Sequence, residues 1–245
     1  MENISIISIE GNIGSGKSTL LRKIQYWAKE NSYSHIYFAL EPVDDWNKIR
    51  DNNGETILSK FYKDQEKYAF PFQMMAFITR YNKIQELIDE ITENQKKRNL
   101  LGVMEKSIII TERCLYTDKY VFAKMLYDDG KIDEVNYQIY NSWFETFAKK
   151  IPINEVIYIN TPDTNCDERI KNRNRVGESS IPMDYLTRCE DYHNQMIQIM
   201  ICEKNTKIIQ INGEEDINDI DILNKWLETI KYSLKSYEFN HINLL

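Results

Sequence analysis

The segment from Gly11 to Ser18 reads Gly-Asn-Ile-Gly-Ser-Gly-Lys-Ser and matches the phosphate-loop pattern G-x-x-x-x-G-K-[ST]. Its glycines let backbone N–H groups surround a phosphate, and the dipole of the following helix favours an anion there. We expect Lys17 to reach the β- and γ-phosphates of ATP and the Ser18 hydroxyl to bind Mg²⁺. The predicted ATP-binding residues here are Gly11, Asn12, Ile13, Gly14, Ser15, Gly16, Lys17, Ser18 and Thr19.

Two acidic residues close later strand patterns. Glu41 follows an apolar segment, and Glu112 ends another, directly before Arg113. Because the carboxyl ends of adjacent parallel strands meet at one crevice, both acids are expected beside the phosphate loop. Glu112 could hold Mg²⁺, Arg113 could clamp a reacting oxygen, and Glu41 could orient an attacking hydroxyl and take its proton. A solvent-facing loop acid is the alternative interpretation of Glu41.

Other classes of phosphate-loop protein fit less well. GTPases carry a guanine-reading N-K-x-D segment, and each Asn-Lys pair of this chain lacks the Asp. A motor-type ATPase usually has a strand ending in Asp, whereas here the strand ends in Glu and Arg. The pattern therefore favours a kinase for a small acceptor.

The elements that position these residues alternate between short apolar runs and long helical patterns. This order is typical of an α/β fold with a central parallel sheet of about five strands and helices on both faces. Strands are predicted at 4–9, 35–40, 107–111, 155–159 and 207–211, with helices beginning near Lys17, Gly54, Phe70, Thr117, Ile132, Asp163, Pro182 and Ile217. Residues 96–102 are predicted to be an exposed loop, and residues 1–245 a single domain.

A basic run stands out in an otherwise acidic chain. Arg169, Lys171, Arg173 and Arg175 place four cations in seven residues, although the formal net charge is −7. Like charges at helical spacing repel, and a bound polyanion would relieve that cost through charge-assisted hydrogen bonds. We predict an Arg-rich lid at about 169–180; a solvated basic surface is the alternative.

Composition limits the partners and the compartment. The acidic charge opposes binding to a nucleic-acid polymer, and no apolar run is long enough to span a membrane. The four cysteines form no C-x-x-C pair and are expected to be free thiols in a reducing compartment. The N-terminal sequence has no basic or amphipathic targeting pattern, so we expect a cytoplasmic protein.

With these motifs in this order, the sequence resembles the deoxyribonucleoside kinase family, which includes the deoxycytidine, deoxyguanosine and deoxyadenosine kinases. The resemblance runs from Gly11 to about Leu186. Besides the phosphate loop it rests on Glu41-Pro-Val-x-x-Trp46, Phe72-Gln73, Glu112-Arg-Cys with Tyr116, Asp118 and Phe122, and the basic run. This resemblance implies a P-loop kinase that uses ATP and Mg²⁺ to phosphorylate a deoxyribonucleoside, and it suggests a homodimer formed through helices near 117–127 and 132–147.

The resemblance also implies roles for individual residues. Glu41 would be the general base on the 5′-hydroxyl, positioned by Arg113, and Glu112 would join Ser18 in the magnesium shell. Arg169, Arg173 and Arg175 would close over the ATP phosphates. The implied nucleoside-binding residues are Trp46, Leu58, Tyr62, Phe72, Gln73, Ala76, Arg80, Arg113, Asp118, Phe122 and Glu178. Independently, Gln73, Ala76 and Arg80 share one helix face through their i, i+3, i+7 spacing.

In this family, residues corresponding to Arg80 and Asp118, with a small residue at Ala76, mark the deoxycytidine and purine kinases. We therefore expect a deoxycytidine or purine deoxynucleoside to be preferred over thymidine. Two departures from the family pattern are Cys114, where Ser is usual, and Gly177, where an acid often stands. The alternatives are a nucleoside monophosphate kinase and a nucleotide-binding regulator without catalysis.

Overall fold

A parallel sheet forms the centre of the fold. The computed structural model describes residues 3–99, 106–173 and 181–238. In these ranges five strands pair in the order β2-β3-β1-β4-β5, all parallel. They are β1 (Ile4–Glu10), β2 (Ile36–Ala39), β3 (Ser107–Glu112), β4 (Glu155–Asn160) and β5 (Lys207–Asn212). The predicted α/β class and all five predicted strands are confirmed.

Helices connect the strands and follow the last one. They are α1 (Lys17–Glu30), α2 (Val43–Lys48), α3 (Ile57–Lys63), α4 (Gln65–Asn99), α5 (Leu115–Thr117), a π-helical turn (Asp118–Ala123), α6 (Lys124–Asp128), α7 (Glu134–Phe147), a 3₁₀ turn (Ala148–Lys150), α8 (Asp163–Arg173), α9 (Met183–Cys202) and α10 (Ile220–Glu238). Most predicted helix starts lie close to the observed ones. The long helix α4 begins earlier, at Gln65 rather than near Phe70.

The loop predicted at 96–102 is wrong over its first part, because α4 continues as far as Asn99. The Gln95 side chain explains this continuation. Its Nε2 donates to the Asn3 carbonyl (3.3 Å) and to Ser107 Oγ (3.2 Å), which ties the last turns of α4 to the amino ends of the internal strands β1 and β3. Residues 100–102 lie outside the described ranges.

Both faces of the sheet are buried, and alternate residues of each strand face opposite layers. Ile7 and Ile9 of β1 pack with α1 and α10, in a cluster that also contains Leu21 and Trp226. Ile6, directly before Ile7, packs on the other side with α4 and α7. This two-sided burial explains why the strands read as continuous apolar runs rather than as alternating patterns.

The strand register decides where the candidate chemistry meets. Ile9 of β1 is paired with Glu112 of β3, and Ala39 of β2 is paired with Thr111. The phosphate loop, Glu41 and Glu112 therefore leave the sheet at the same edge, above three adjacent strands.

Two further predictions concern the cysteines and membrane-spanning segments. The four cysteines are free, with Cys114, Cys166 and Cys189 buried and Cys202 exposed, as predicted. Among the described helices, none combines the length and the apolar character that a membrane-crossing helix needs.

Candidate functional site

A cavity of about 700 Å³ lies above the carboxyl ends of β1, β2 and β3. It brings together most of the residues predicted to form the site. Those that line it are Ile13, Gly14, Gly16, Lys17, Ser18, Thr19, Glu41, Trp46, Leu58, Tyr62, Phe72, Gln73, Ala76, Arg80, Glu112, Arg113, Asp118, Phe122, Arg169 and Arg173. Arg175 and Glu178, also predicted, lie outside the described residues.

The phosphate loop has the backbone shape that its glycines permit. Gly14 and Gly16 have φ angles of 81° and 100°, in the region that favours glycine. A Cβ on Gly14 would lie 2.5 Å from the Cys166 carbonyl oxygen, so a side chain there is excluded. Asn12 fixes the loop to α9, because its Nδ2 donates to the Leu186 carbonyl (2.9 Å).

Lys17 is buried at the base of the loop. Its Nζ donates to the Asn12 carbonyl (2.6 Å) and lies 3.4 Å from Ser15 Oγ. Burial, together with the charge of Arg113, lowers the pKa of Lys17 to about 7, although Glu112 and Glu41 oppose the shift. The ammonium is thus poorly compensated by its surroundings, and a polyphosphate would stabilise it.

Ser18 and Glu112 form the candidate magnesium site. The Ser18 hydroxyl donates to Glu112 Oε1 over 2.5 Å, beside the loop that would hold the phosphates. Within the described ranges, no cluster of three or more His, Cys, Asp or Glu residues could hold a metal. A hydroxyl and a carboxylate nevertheless fit Mg²⁺, which usually takes one or two protein oxygens and completes its shell with phosphates and water.

Glu41 faces the cavity from the segment after β2 and is contacted by two arginines. Its Oε1 accepts from Arg113 Nη1 (2.6 Å) and from Arg80 Nη2 (3.4 Å). Burial would raise the pKa of Glu41, but the charges of Arg113, Arg80 and Lys17 outweigh it and lower the pKa to about 2. Glu41 is therefore ionised throughout the physiological pH range, and it is not the solvent-facing acid of the alternative interpretation.

An uncommon backbone conformation sets the direction of the Arg113 side chain. Its φ is 62°, a region that non-glycine residues rarely adopt, and it directly follows β3. The guanidinium lies over the Phe122 ring, with its carbon 5.0 Å from the ring centroid. Its Nε and Nη2 are buried without a hydrogen-bond partner among the described residues. These donors can serve a ligand in the cavity.

Arg80 and Asp118 form a buried ion pair at one end of the cavity, with exposures of 3% and 1%. Arg80 Nε donates to Asp118 Oδ2 (2.9 Å), and its Nη1 donates to the Glu112 carbonyl (2.6 Å). On the same face of α4, Gln73 has a buried Oε1 without a partner in the described part of the chain. A base edge that offers a hydrogen-bond donor could satisfy it.

A short helical segment positions Asp118. Asp118 opens the π-helical turn, and such turns occur often at functional sites. Thr117, just before it, donates to buried Glu10 Oε2 (2.6 Å) at the end of β1. Cys114, the departure from the family pattern, is buried with its sulfur 3.7 Å from the Thr117 hydroxyl. The hydrogen bond between Thr117 and Glu10 ties the π-helical turn to β1, the strand that precedes the phosphate loop.

Aromatic rings form the wall opposite the ion pair. Phe72 meets the edge of Trp46 (5.4 Å between centroids) and stacks on Phe61 (4.7 Å). Tyr62 meets the edge of Tyr185 at 6.4 Å. Phe61 and Tyr185 also line the cavity but were not predicted. Phe61 precedes predicted Tyr62 in α3, whereas nothing in the sequence around Tyr185 marked it.

The other end of the cavity is polar and contains part of the predicted lid. Arg169 Nη1 lies 3.5 Å from the Ser15 carbonyl and its Nη2 lies 3.3 Å from the Glu215 carbonyl. Lys171 turns away and pairs with Asp167 at 2.6 Å. Lining residues that were not predicted here are Arg22, Asn165, Glu168, Asn172, Asp216, Ile217 and Asn218.

Comparison with known proteins gives a consistent result. The deoxynucleoside kinase family model matches residues 7–231. A probable deoxycytidine kinase of fowlpox virus (strain NVSL) is 34% identical over 89% of this chain and 83% of the relative. The mitochondrial deoxyguanosine kinase of Xenopus laevis is 27% identical over 87% and 83%, and the human mitochondrial thymidine kinase 2 is 27% identical over 80% and 65%.

Proposed function

This chain belongs to the deoxynucleoside kinase family, and from that membership we propose that it transfers the γ-phosphoryl group of ATP to the 5′-hydroxyl of a deoxyribonucleoside. The product would be a 5′-monophosphate for deoxynucleotide salvage. One observation carries the proposal: Glu41, held by Arg113, shares a cavity with Lys17 and with an aromatic wall suited to a base.

In the proposed mechanism the phosphate loop and Lys17 would hold the triphosphate, and Ser18 and Glu112 would hold Mg²⁺, which would neutralise phosphate charge. Glu41 accepts a hydrogen bond from the 5′-hydroxyl and orients it for in-line attack on the γ-phosphorus; as the new O–P bond forms, ADP leaves and Glu41 takes the hydroxyl proton. Because the transition state is loose, the hydroxyl becomes acidic only as its bond to phosphorus forms. An acid whose pKa is about 2 can therefore serve, since it is always ionised and its main task is orientation.

We propose that Arg169, Arg173 and Arg175 close over the phosphates. Arg169 and Arg173 line the cavity at the polar end, which supports this role. Arg113 has unpaired donors beside Glu41, where charge develops on the transferred group. Preorganised cations of this kind stabilise a phosphoryl transition state without further rearrangement.

We propose that the preferred acceptor is deoxycytidine or a purine deoxynucleoside. The buried Arg80–Asp118 pair supports this preference, because it would crowd the place of the thymine 5-methyl and would offer charges to polar base edges. Gln73 would read the base edge between Phe72, Phe122 and Trp46, with Leu58 and Ala76 shaping the slot, while Tyr62 and Glu178 would bind the sugar 3′-hydroxyl. Relatives named as deoxycytidine, deoxyguanosine and thymidine kinases all match, so the proposed preference rests on these side chains.

The test is a steady-state panel of the four deoxynucleosides and dCMP with ATP and Mg²⁺. We expect kcat/KM to be higher for deoxycytidine, deoxyadenosine or deoxyguanosine than for thymidine. A clear preference for thymidine would refute the substrate assignment, and a clear preference for dCMP would favour a monophosphate kinase. If no acceptor causes ADP release, the alternative of a nucleotide-binding protein without catalysis would be favoured.

We further propose that the active form is a homodimer built through α7. Val135, Ile139 and Trp143 recur every four residues on that helix and are 66%, 42% and 41% exposed. An exposed apolar stripe on a single helix face is typical of an interface. Ile139→Asp should convert a dimer into a monomer in analytical ultracentrifugation. A wild-type chain that sediments as a monomer at micromolar concentration would refute this proposal.

The remaining expectations stand as parts of the same proposal. We propose that residues 1–245 act as one kinase domain with a lid at about 169–180, and that the protein works in the cytoplasm. Its partners would be a deoxyribonucleoside and ATP, with neither a nucleic-acid polymer nor a membrane. The formal charge of −7 supports the exclusion of a nucleic acid, because an acidic surface repels its phosphates.

A further inference from the structure

One buried hydroxyl, on Tyr140, is not used by the proposed mechanism. Tyr140, on α7, is 1% exposed, and within the described residues its hydroxyl has no hydrogen-bond partner. Burying an unpaired hydroxyl is costly, because its hydrogen bonds to water are lost without replacement. A phenylalanine would fill the same space without that cost, so the oxygen calls for an explanation.

Tyr140 packs beside the two elements that carry the buried ion pair. Its ring meets Phe77 of α4 at 5.8 Å, and Phe77 lies one helical turn before Arg80. Ala123, in the π-helical turn that Asp118 opens, belongs to the same apolar cluster. Burial raises the pKa of Tyr140 well above its ordinary value, with Asp118 adding to the shift and Arg80 opposing it. The phenol is therefore in the electrostatic field of both members of the pair.

Asp118 is a carboxylate that needs further hydrogen bonds. Arg80 Nε binds its Oδ2, and the other charged groups that act on it are Arg113 and Glu41. Burial raises its pKa despite the arginines, because one ion pair does not fully replace the lost hydration. The Tyr140 hydroxyl is thus a buried donor without a partner among the described residues, and the Asp118 carboxylate is a buried acceptor with spare lone pairs.

We propose that Tyr140 is a positioning residue whose hydroxyl donates to Asp118 when a nucleoside base occupies the cavity, and that it thereby favours bases that carry an exocyclic amino group. This inference rests on the proposed function. An amino group that donates to Asp118 competes with Arg80 for its lone pairs. A hydrogen bond from the Tyr140 hydroxyl, on the side of Asp118 away from the base, keeps the Asp118 carboxylate ionised and facing the base.

Tyr140→Phe removes the oxygen alone and tests the proposal. We expect kcat/KM for deoxycytidine and deoxyadenosine, whose exocyclic amino groups lie on the base edge that carries O4 in thymine and O6 in guanine, to fall about 10- to 100-fold, the loss typical of one hydrogen bond to a charged group. Thymidine, which lacks an exocyclic amino group, should change less than twofold, and the KM for ATP should be unchanged. The acid limb of the kcat/KM profile for the amino-bearing substrates should move to higher pH, because Asp118 loses a donor that favours its charged form.

The matched control is Tyr137→Phe, one turn earlier on α7, where the ring stacks on Tyr127 instead. It should leave base preference and the pH profile unchanged. Equal losses for all four nucleosides, or a Tyr140→Phe profile identical to that of the wild type, would overturn the inference.

Nucleoside dissociation constants from calorimetry separate this inference from the proposed function. If the wild type binds nucleosides without phosphorylating them, the proposed function fails. The same contrast in affinity between amino-bearing nucleosides and thymidine would then still decide the role of Tyr140. If no nucleoside binds, both proposals are refuted.

Discussion

Glu41, two residues beyond β2, accepts a 2.6 Å hydrogen bond from Nη1 of Arg113, the residue that follows β3. The two residues are 72 positions apart in sequence and come together because β2 and β3 are neighbours in the sheet. The contact fixes the carboxylate, and the arginine charge keeps it ionised. The first prediction tests this pair directly.

Replacing Glu41 by Gln should reduce kcat by about 10²- to 10⁴-fold, the contribution typical of a positioned base. Nucleoside affinity should stay near normal, because Gln can still accept from Arg113. Since the pKa of Glu41 is about 2, the wild-type rate should show no acid limb from this group above about pH 4. Stopped assays and calorimetric binding measure both effects. Glu228→Gln, at an exposed position of α10, is the control, and near-normal turnover by Glu41→Gln would remove Glu41 from this role.

Nucleotide binding should take up a proton above pH 7. The pKa of Lys17 is about 7 in the free protein, and a bound polyphosphate raises it, so at pH 8 the free protein lacks a proton that the complex holds. ADP affinity should therefore weaken as pH rises from 7 to 9. The number of protons taken up on binding can be measured by calorimetric titration with ADP. The titrations are done without divalent cations, in buffers of different ionisation enthalpy. Lys17→Arg keeps the charge and should abolish the uptake; the same uptake in that variant would contradict the prediction.

Glu112→Gln should raise the Mg²⁺ concentration needed for half-maximal activity by about 10- to 100-fold, as expected when a metal-shell carboxylate is neutralised. The Ser18 hydroxyl would then face an amide instead of a carboxylate. Chelation by EDTA should abolish turnover in the wild type. Titrating Mg²⁺ at saturating ATP measures the shift, with Glu168→Gln as the control at the same cavity. An unchanged Mg²⁺ requirement would exclude Glu112 from the metal shell.

Breaking the Arg80–Asp118 pair on one side should destabilise the fold. Asp118→Ala leaves the Nε of a fully buried guanidinium without its partner, which typically costs about 3–5 kcal/mol. Arg80→Met combined with Asp118→Ala removes both charges and should cost less than the sum of the two single losses. Equilibrium unfolding in urea measures all three variants. If the stability lost in the double variant equals the sum of the losses in Arg80→Met and Asp118→Ala, the two side chains are not energetically coupled.

The sequence alone was sufficient to predict the strands of the sheet and the phosphate loop. The five strands and the phosphate loop follow from local patterns, because a continuous β-branched run followed by a glycine-rich turn and a helix has few other structures. The phosphate-loop motif and the family resemblance together predicted most of the residues that line the cavity, and the described part of the chain brings them together. The extension of α4 to Asn99 was missed, since hydrogen bonds from Gln95 to distant residues decide it.

What only the tertiary structure decided is the state of each side chain. That Glu41 has a pKa of about 2 while Lys17 has one of about 7 depends on burial and on charges brought from other strands. No local pattern in the sequence marks Tyr140, whose hydroxyl is buried without a hydrogen-bond partner among the described residues. Periodicity in a sequence specifies which face of an element is buried, whereas the partners met there depend on how distant elements pack.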